Sequence, residues 1–294
     1  MAYDTNALVA SVKRRGSVPT TQGLVAQQDF LTIGDEEMQS YVVPLVIDAQ
    51  SEYMVTEVDQ LIAGQTSFRI PTRAVGGKLR EVQLVDTLGK FANVPQITVD
   101  QLNAVTFGFY LKGNTLNLWN NLQPLNSAWI TLRMSYYTRP NSLVYPTAAG
   151  TIQSIAGNSV TLTGAPPATF TSSATYDLVR ASPGFECLAT DSSATVAGST
   201  ITFSSAPSSD LRAGDYVCLA GQSPVPQIPL ELHSLLAQAV AVKVFQVVCD
   251  FDGMQAAQQV LAKMEEQARD LIANRVDGES LRIVNRSSLF RTMW

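Results

Sequence analysis

Apolar residues recur at helical spacing near both ends of this chain and alternate every second position through its middle. Leu8, Val9 and Val12 make one face of a short helix. Asp4 or Thr5 can cap it, Gly16 stops it, and Lys13, Arg14 and Arg15 sit where the helix dipole favours cations. A polar loop through Pro19 and Gly23 leads to a second helical stretch from near Gln27. A restart near Thr32–Asp35 would place Asp35, Glu36 and Glu37 in a first turn. Met38, Tyr41, Val42, Leu45, Ala49, Glu52 and Tyr53 continue the helical spacing. Pro44 inside that run predicts a kink or a fresh first turn.

From about Ser67 the period falls to two. Phe68-Arg69-Ile70-Pro71 ends one strand, and Val82 and Leu84 belong to the next, after a backbone turn at Gly76-Gly77-Lys78. Thr106–Leu111 and Leu116–Trp119 flank Lys112-Gly113-Asn114-Thr115, a hairpin signal. Trp129–Tyr137 alternates Ile130, Leu132, Met134 and Tyr136 against polar neighbours and stops at Arg139-Pro140. Between Asn141 and Ser223 the composition shifts to Ser, Thr, Ala and Gly. Short strands read at 151–155, 159–162, 200–203 and 215–219, with turns at Gly157-Asn158, Gly198 and Ala213-Gly214-Asp215. Such spacing suggests a sandwich or small barrel inserted between two halves of a helical module. The two stretches around Gly157 and Gly198 share a faint turn-and-strand pattern that is too weak in sequence to define a repeat.

Pro229 opens the last helical region. From Leu232 to Val248 apolar residues go nearly all round, so that helix should be buried on every side, Cys249 included as a small buried hydrophobe. Asp250-Phe251-Asp252-Gly253 makes the turn. Met254, Ala257, Leu261, Met264, Ala268 and Leu271 then form a heptad-type seam, with Glu265 and Arg269 paired on the outside. The chain thus divides into N-terminal helices (1–64), a small β region (65–141), an inserted β domain (142–225), a C-terminal helical hairpin (226–276) and an extended arm (277–294). The fold class expected is α+β: a helical bundle with a small antiparallel sheet and an inserted all-β sandwich or barrel.

Chemistry is sparse. His233 is the sole histidine, and no Gly-x-Ser-x-Gly elbow accompanies it, so a packing or capping role is expected. The three cysteines are widely spaced and form no CxxC or Cys/His cluster. Asp250-x-Asp252-Gly253 lacks the closing carboxylate of a calcium loop, since Leu261 stands there. Gly76-Gly77-Lys78 lacks the earlier glycine of a phosphate loop. Lys13-Arg14-Arg15 reads as a solvated helix end. No catalytic residue, metal or cofactor is expected. A net charge of −5 disfavours a protein that wraps nucleic acid, though it suits a wall that DNA slides past. With 46% hydrophobic and 15% charged residues, the chain should hide surface against copies of itself or partners. No signal peptide is visible at the N-terminus, and the Leu235–Val248 run is too interrupted for a bilayer span, so a soluble protein made in the cytoplasm is expected, with no membrane partner.

The tail cannot build a core, yet it interleaves Arg275, Arg282, Arg286 and Arg291 with Leu289, Phe290, Met293 and Trp294. Aromatic and arginine side chains are the usual anchors of interfaces. The tail therefore reads as a docking arm.

Several segments together resemble one family. They are Asn6–Arg15 with the Pro19/Gln22 loop, Tyr41-Val42-Val43-Pro44-Leu45 through Glu52-Tyr53, Ile70–Arg80, Tyr137–Val144, and Gln227-Ile228-Pro229-Leu230-Glu231-Leu232-His233. In this order they are similar to head-to-tail connector (adaptor) proteins of tailed bacteriophages. The resemblance implies a homo-oligomeric ring of about twelve subunits beneath the portal protein. It also implies a tail or neck protein below, DNA passing through the lumen without sequence-specific binding, residence in the virion neck, and an arm that docks on the portal. The alternative is a carbohydrate-binding or adhesive β module mounted on a helical base.

Overall fold

The computed structural model describes residues 3–16, 25–102, 104–120, 129–182 and 186–273. Asp4 accepts a hydrogen bond from the Ala7 amide at 2.9 Å and opens α1 (Thr5–Arg15). The end of α1 is less solvated than its three basic residues suggest. Arg15 donates to Gln238 at 2.9 Å, and the Lys13 ammonium lies 5.4 Å from the centre of the Phe30 ring. The second helix begins at Gln27, where the Asp29 carboxylate accepts from the Ala26 amide, and no restart occurs near Thr32. Instead α2 (Gln27–Glu37) runs through a π-helical turn at Met38–Val42 into α3 (Val43–Gln50), with the Val43 N–H reaching the Met38 carbonyl. Pro44 has no N–H and crowds the carbonyl one turn back, and the wider π turn just before it makes room for the ring.

Asp35, Glu36 and Glu37 consequently sit inside a continuous helix, not in a first turn. Glu37 pairs with Lys243 at 3.5 Å, and Asp35 accepts from the Leu143 amide at 2.7 Å. Burial pushes the Asp35 carboxyl up to about 6, and the neighbouring Glu36 charge adds to this. Its folded form therefore holds a proton that the unfolded chain releases near pH 4. Stability from this group is present at low pH and is lost as pH rises through about 6. Asp35→Asn keeps an acceptor for Leu143 and should stabilise the protein near neutral pH by on the order of 1 kcal/mol, with no gain at about pH 4. Urea unfolding at the two pH values checks this.

Two helices complete this region, α4 (His233–Val247) and α5 (Phe251–Ile272). Leu230–Val247 is as apolar as a membrane span, but most of it is buried inside the protein. Leu235, Leu236, Val240 and Val244 share one core with Leu8, Phe30, Leu31, Met38, Val42 and Val46. Gln238 is buried among them, and both ends of its amide are bonded, since Nε2 donates to the Ala257 carbonyl at 3.1 Å. Two details differ from the sequence reading. Cys249 is exposed with φ +59°, because it turns the chain between α4 and α5. The α5 seam ends on Ile272 (1% exposed) rather than Leu271 (66% exposed). A straight helix drifts from a seven-residue repeat, and Ile272 returns to the direction of Met254 after five full turns.

The chain after α3 builds β1 (Val55–Leu61), β2 (Ser67–Arg69), β3 (Ala74–Asp86), β4 (Phe91–Asn93), β5 (Phe107–Lys112), β6 (Thr115–Asn120) and β7 (Trp129–Thr138). They form two antiparallel sheets, ordered β1-β7-β3-β4 and β2-β6-β5. Phe68, Val82, Leu84, Phe109, Leu116, Leu132 and Met134 fill the core between them. Gly76 and Gly77, at φ +60° and +65°, bulge β3 between its pairs at Ala74 and Leu79. A side chain at Gly108 would meet the Pro95 carbonyl at 2.8 Å, a backbone atom that cannot rotate away. Gly108→Ala should therefore cost about 1–3 kcal/mol in thermal unfolding, which no change at the open turn glycine Gly113 would match in steric terms.

β8 (Ser142–Leu143) leads into the inserted segment. This holds β9 (Gly150–Ala156), β10 (Ser159–Leu162), β11 (Thr175–Val179), β12 (Cys187–Ala197), β13 (Thr200–Phe203) and β14 (Tyr216–Leu219), and β15 (Gln222–Ser223) leads out. β8 and β15 pair in parallel, so the entering and leaving strands form a stem. Between them the six strands close a barrel in the order β10-β13-β12-β11-β14-β9. The protein is thus α+β, with helices, antiparallel sheets and a six-stranded barrel.

The barrel is internally two-fold, which its sequence barely signals. Adding 41 to a residue number converts one half into the other, as with Val160 and Ile201, which face each other across β10 and β13. The Leu162 amide donates to Ser199, and the Phe203 amide donates to Asn158, which is the same bond exchanged. Phe170 to Pro167 and Leu211 to Ser208 are a second such pair, and Ala174 to Thr171 and Asp215 to Arg212 a third. Asp177 and Cys218 face each other on β11 and β14 as the counterparts on the axis. Shape and hydrogen bonding persist between the halves while the side chains differ.

Candidate functional site: the seam between sheet and barrel

β11 carries a carboxylate in an otherwise apolar strand, and that carboxylate, Asp177, is fully buried. A buried charge must be paired and hydrogen-bonded or it is expelled. Arg73, in the turn between β2 and β3, donates to both Asp177 oxygens at 2.8 Å. Asn141 Nδ2 donates at 2.7 Å, and the Asp191 and Gly221 amides each donate at 2.9 Å. Arg73 also donates to Asn141 Oδ1 at 2.8 Å, and the Asn141 amide donates to Gln227 Oε1 at 2.7 Å. Burial opposes the Arg73 charge, but the Asp177 charge and hydrogen bond outweigh it and hold Arg73 protonated. One network therefore ties the sheet, the barrel and the start of the last helical region together.

The thiols nearby are inert. Burial, then the Asp177 charge, pushes Cys187 up to about 12, and burial drives Cys218 well above the ordinary thiol range. Neither forms a thiolate at neutral pH. His233 is 3% exposed, with Nε2 3.2 Å from the Ile228 carbonyl and its ring 4.7 Å from that of Tyr3. Burial lowers its pKa, so it stays neutral in the fold while the unfolded chain takes up a proton. Its contribution to stability is present above about pH 6.5 and is lost as pH falls below that. Among the described residues, no group of three or more His, Cys, Asp or Glu side chains could hold a metal.

Two pockets flank the network. One of about 240 Å³ lies between the Glu52–Thr56 stretch, Tyr136, Pro140 and the start of β12, with Gln227 in its wall. The other, of about 300 Å³, lies between Val58, Gln60, the 69–73 turn and Asp191. Both are lined by Tyr136 and Thr190.

Apolar surface is also exposed away from the seam. Leu61, Thr131, Val85 and Phe91 form one row across the four-stranded sheet, and Leu61 and Phe91 are 70% and 55% exposed. Leu88, in the turn between β3 and β4, is 79% exposed. Val247 and Phe251 are exposed at the turn between α4 and α5.

The predicted arm residues Arg275, Arg282, Arg286, Leu289, Phe290, Arg291, Met293 and Trp294 lie outside the described residues. What sequence reasoning missed is Asp177, whose signal was a lone acid between Tyr176 and Leu178. No protein-family model matches the chain, and no curated protein matches it.

Proposed function

We propose that this protein is a structural head-to-tail adaptor of a tailed phage. Its helices form a bundle, about twelve copies make a ring under the portal, and the arm from Arg275 to Trp294 docks on the portal protein. DNA passes through the lumen, and a tail or neck protein binds below.

One observation carries this reading. Three of the segments that resemble the connector family lie far apart in sequence and meet in one buried network through Arg73, Asn141 and Gln227, and Tyr53 of a fourth lines the pocket beside it. The exposed apolar row at Leu61 and Phe91 and the exposed Phe251 add surface suited to subunit or partner contacts.

The carbohydrate-binding alternative needs aromatic platforms on the barrel. Phe170, Tyr176 and Phe203 instead point into its core, and Tyr216 is half-buried. A glycan-array signal from the barrel surface would revive that alternative.

The adaptor reading is tested by mixing the purified full chain with its phage's portal ring and measuring mass by sedimentation. About a dozen added copies per portal are expected. No complex at micromolar concentrations would contradict it.

A further inference from the structure

The four-stranded sheet ends on each side in a strand with one neighbour, β1 and β4. Just beyond β1 the Ile62 amide donates to the Ile130 carbonyl, which fixes the phase of the ladder. Thr56, Val58 and Gln60 therefore bond to β7, while Glu57, Asp59 and Leu61 turn their N–H and C=O groups to the free edge. At β4 the Val94 amide donates to Val82 and the Lys90 carbonyl accepts from Asp86. Ala92 thus bonds to β3, and Phe91 and Asn93 face away. Among the described residues these outward groups have no main-chain partner. An open edge of this kind is a template for another strand.

The two edges match each other. Leu61, Asp59, Phe91 and Asn93 project from the outer face, opposite the core that holds Val82, Leu84 and Leu132. One row across the sheet ends in Leu61 at one edge and Phe91 at the other, both largely exposed. The next row runs Asp59, Arg133, Gln83, Asn93. Arg133 donates to the two Asp59 oxygens at 2.7 and 2.8 Å. Gln83 Nε2 donates to Glu81 at 3.0 Å and to Asn93 Oδ1 at 2.9 Å. A carboxylate such as Glu81 only accepts, which sets Gln83 as the donor and Asn93 Oδ1 as the acceptor. Asn93 Nδ2 is left as a donor at the β4 edge, and the Asp59 carboxylate stands as an acceptor at the β1 edge.

A second copy of this chain supplies the complement. Neighbouring strands in the sheet are antiparallel throughout, so β4 of one copy can follow β1 of another in the same sense. One register sets Phe91 against Leu61 and Asn93 against Asp59, and it carries both rows across the junction. Like edges fit worse. β1 on a second β1 sets an acidic strand against an acidic strand, and β4 on a second β4 has no carboxylate for Asn93. The charges that usually guard an edge are also spent inside the sheet, since Glu57 and Asp59 both pair with Arg133.

We propose that copies of this chain associate through unlike edges of this sheet, β4 of one pairing antiparallel with β1 of the next. Main-chain bonds form at Phe91 with Leu61 and at Asn93 with Asp59, and Asn93 Nδ2 donates to the Asp59 carboxylate. This rests on the ring reading for its closure, because a contact between unlike surfaces closes into a ring or runs on as a filament. The β4 edge is short against the area that holds a stable pair, so the contact serves copies already crowded together.

The test uses Gln60→Cys and Ala92→Cys, which fall opposite each other in this register and leave the proposed contacts in place. Within one chain the two lie three strands apart, about 14 Å, too far to bridge. Cys249 is exposed, so the background is Cys249→Ser. The full-length double variant is mildly oxidised at millimolar concentration and again when mixed with the portal ring. A ladder of covalent multimers is expected in at least one setting, with each single variant staying monomeric. Asn93→Asp keeps the acceptor for Gln83 but sets a carboxylate against Asp59, and it should slow the ladder about threefold. No ladder in either setting, single variants that dimerise as fast as the double one, or a rate indifferent to Asn93→Asp would each overturn the proposal. The ring reading is separable. A ladder from a chain that leaves the portal bare sinks the adaptor and keeps the edge contact. A full ring on the portal without a ladder sinks the edge contact and keeps the adaptor.

Discussion

Asp177→Ala is expected to destabilise this protein more than any other single substitution at the seam. It removes the acceptor for Arg73, Asn141 and two backbone amides at once, and it leaves a guanidinium that is 12% exposed with the neutral Asn141 Oδ1 and, as its one carboxylate, the exposed Asp191 at 3.4 Å. Breaking one side of a buried ion pair costs about 3–5 kcal/mol, much of it the penalty of the charge left behind. For a chain of this size the melting temperature should fall by roughly 10 °C. Arg73→Met should be nearly as harmful, for the mirror reason. The double variant Arg73→Met/Asp177→Leu should be milder than the sum of the single changes, because no charge is then stranded. Asp191→Ala is the control: its side chain is 58% exposed, and a change below about 1 kcal/mol is expected. Thermal unfolding of the four variants reads this directly. A melting point for Asp177→Ala within 2 °C or so of wild type would show that the network does not hold sheet and barrel together.

Removing Ser287–Trp294 should have the largest effect on function with the least on the fold. No hydrophobic core assembled by the described residues depends on that segment, so far-UV circular dichroism and the melting temperature should stay near wild type. Attachment to the portal should be lost, since aromatic and arginine anchors dominate interface energies and the deletion takes Leu289, Phe290, Arg291, Met293 and Trp294 together. Truncating even two such anchors commonly costs several kcal/mol of binding, a loss of roughly a thousandfold. Arg291→Lys offers a finer probe, because a lysine cannot reproduce a planar, forked contact. Normal neck assembly by the shortened chain would remove the arm from the account.

Parts of the architecture were legible in the residues because local and tertiary preferences agree there. Asp4 caps α1, the Gly113-Asn114 turn joins β5 to β6, α4 is buried on most sides through Val244, and β7 buries Leu132, Met134 and Tyr136, although Ile130 is exposed and Ser135 buried against the alternation. Where they disagree, the sequence misleads. β1 spaces Val55, Val58 and Leu61 three apart, which is closer to a helical period than to a strand's, and only pairing with β7 makes it extended. β12 is mostly small and polar, and it is a strand because the barrel needs it to close. Asp177 is an unlikely strand residue by composition, and its partners come from positions 73, 141, 191 and 221, which no local window joins. The two-fold barrel was hidden because its halves preserve hydrogen-bond geometry while exchanging Leu162 for Phe203, Phe170 for Leu211 and Asp177 for Cys218. Cys249 was misplaced by an apolar run that continues one residue past the helix it describes.

The polar residues described at the seam serve its architecture. Its titratable groups are spent on fixing one lobe against another: Arg73 and Asp177 on each other, Cys187 and Cys218 as thiols, His233 as a neutral ring in the helical core.

The most direct test of the adaptor reading is to image purified particles of the phage that encodes this chain and locate and count its copies. The account predicts a ring of about twelve between portal and tail. Absence of the protein from the particle, or its presence only away from the neck, would contradict it.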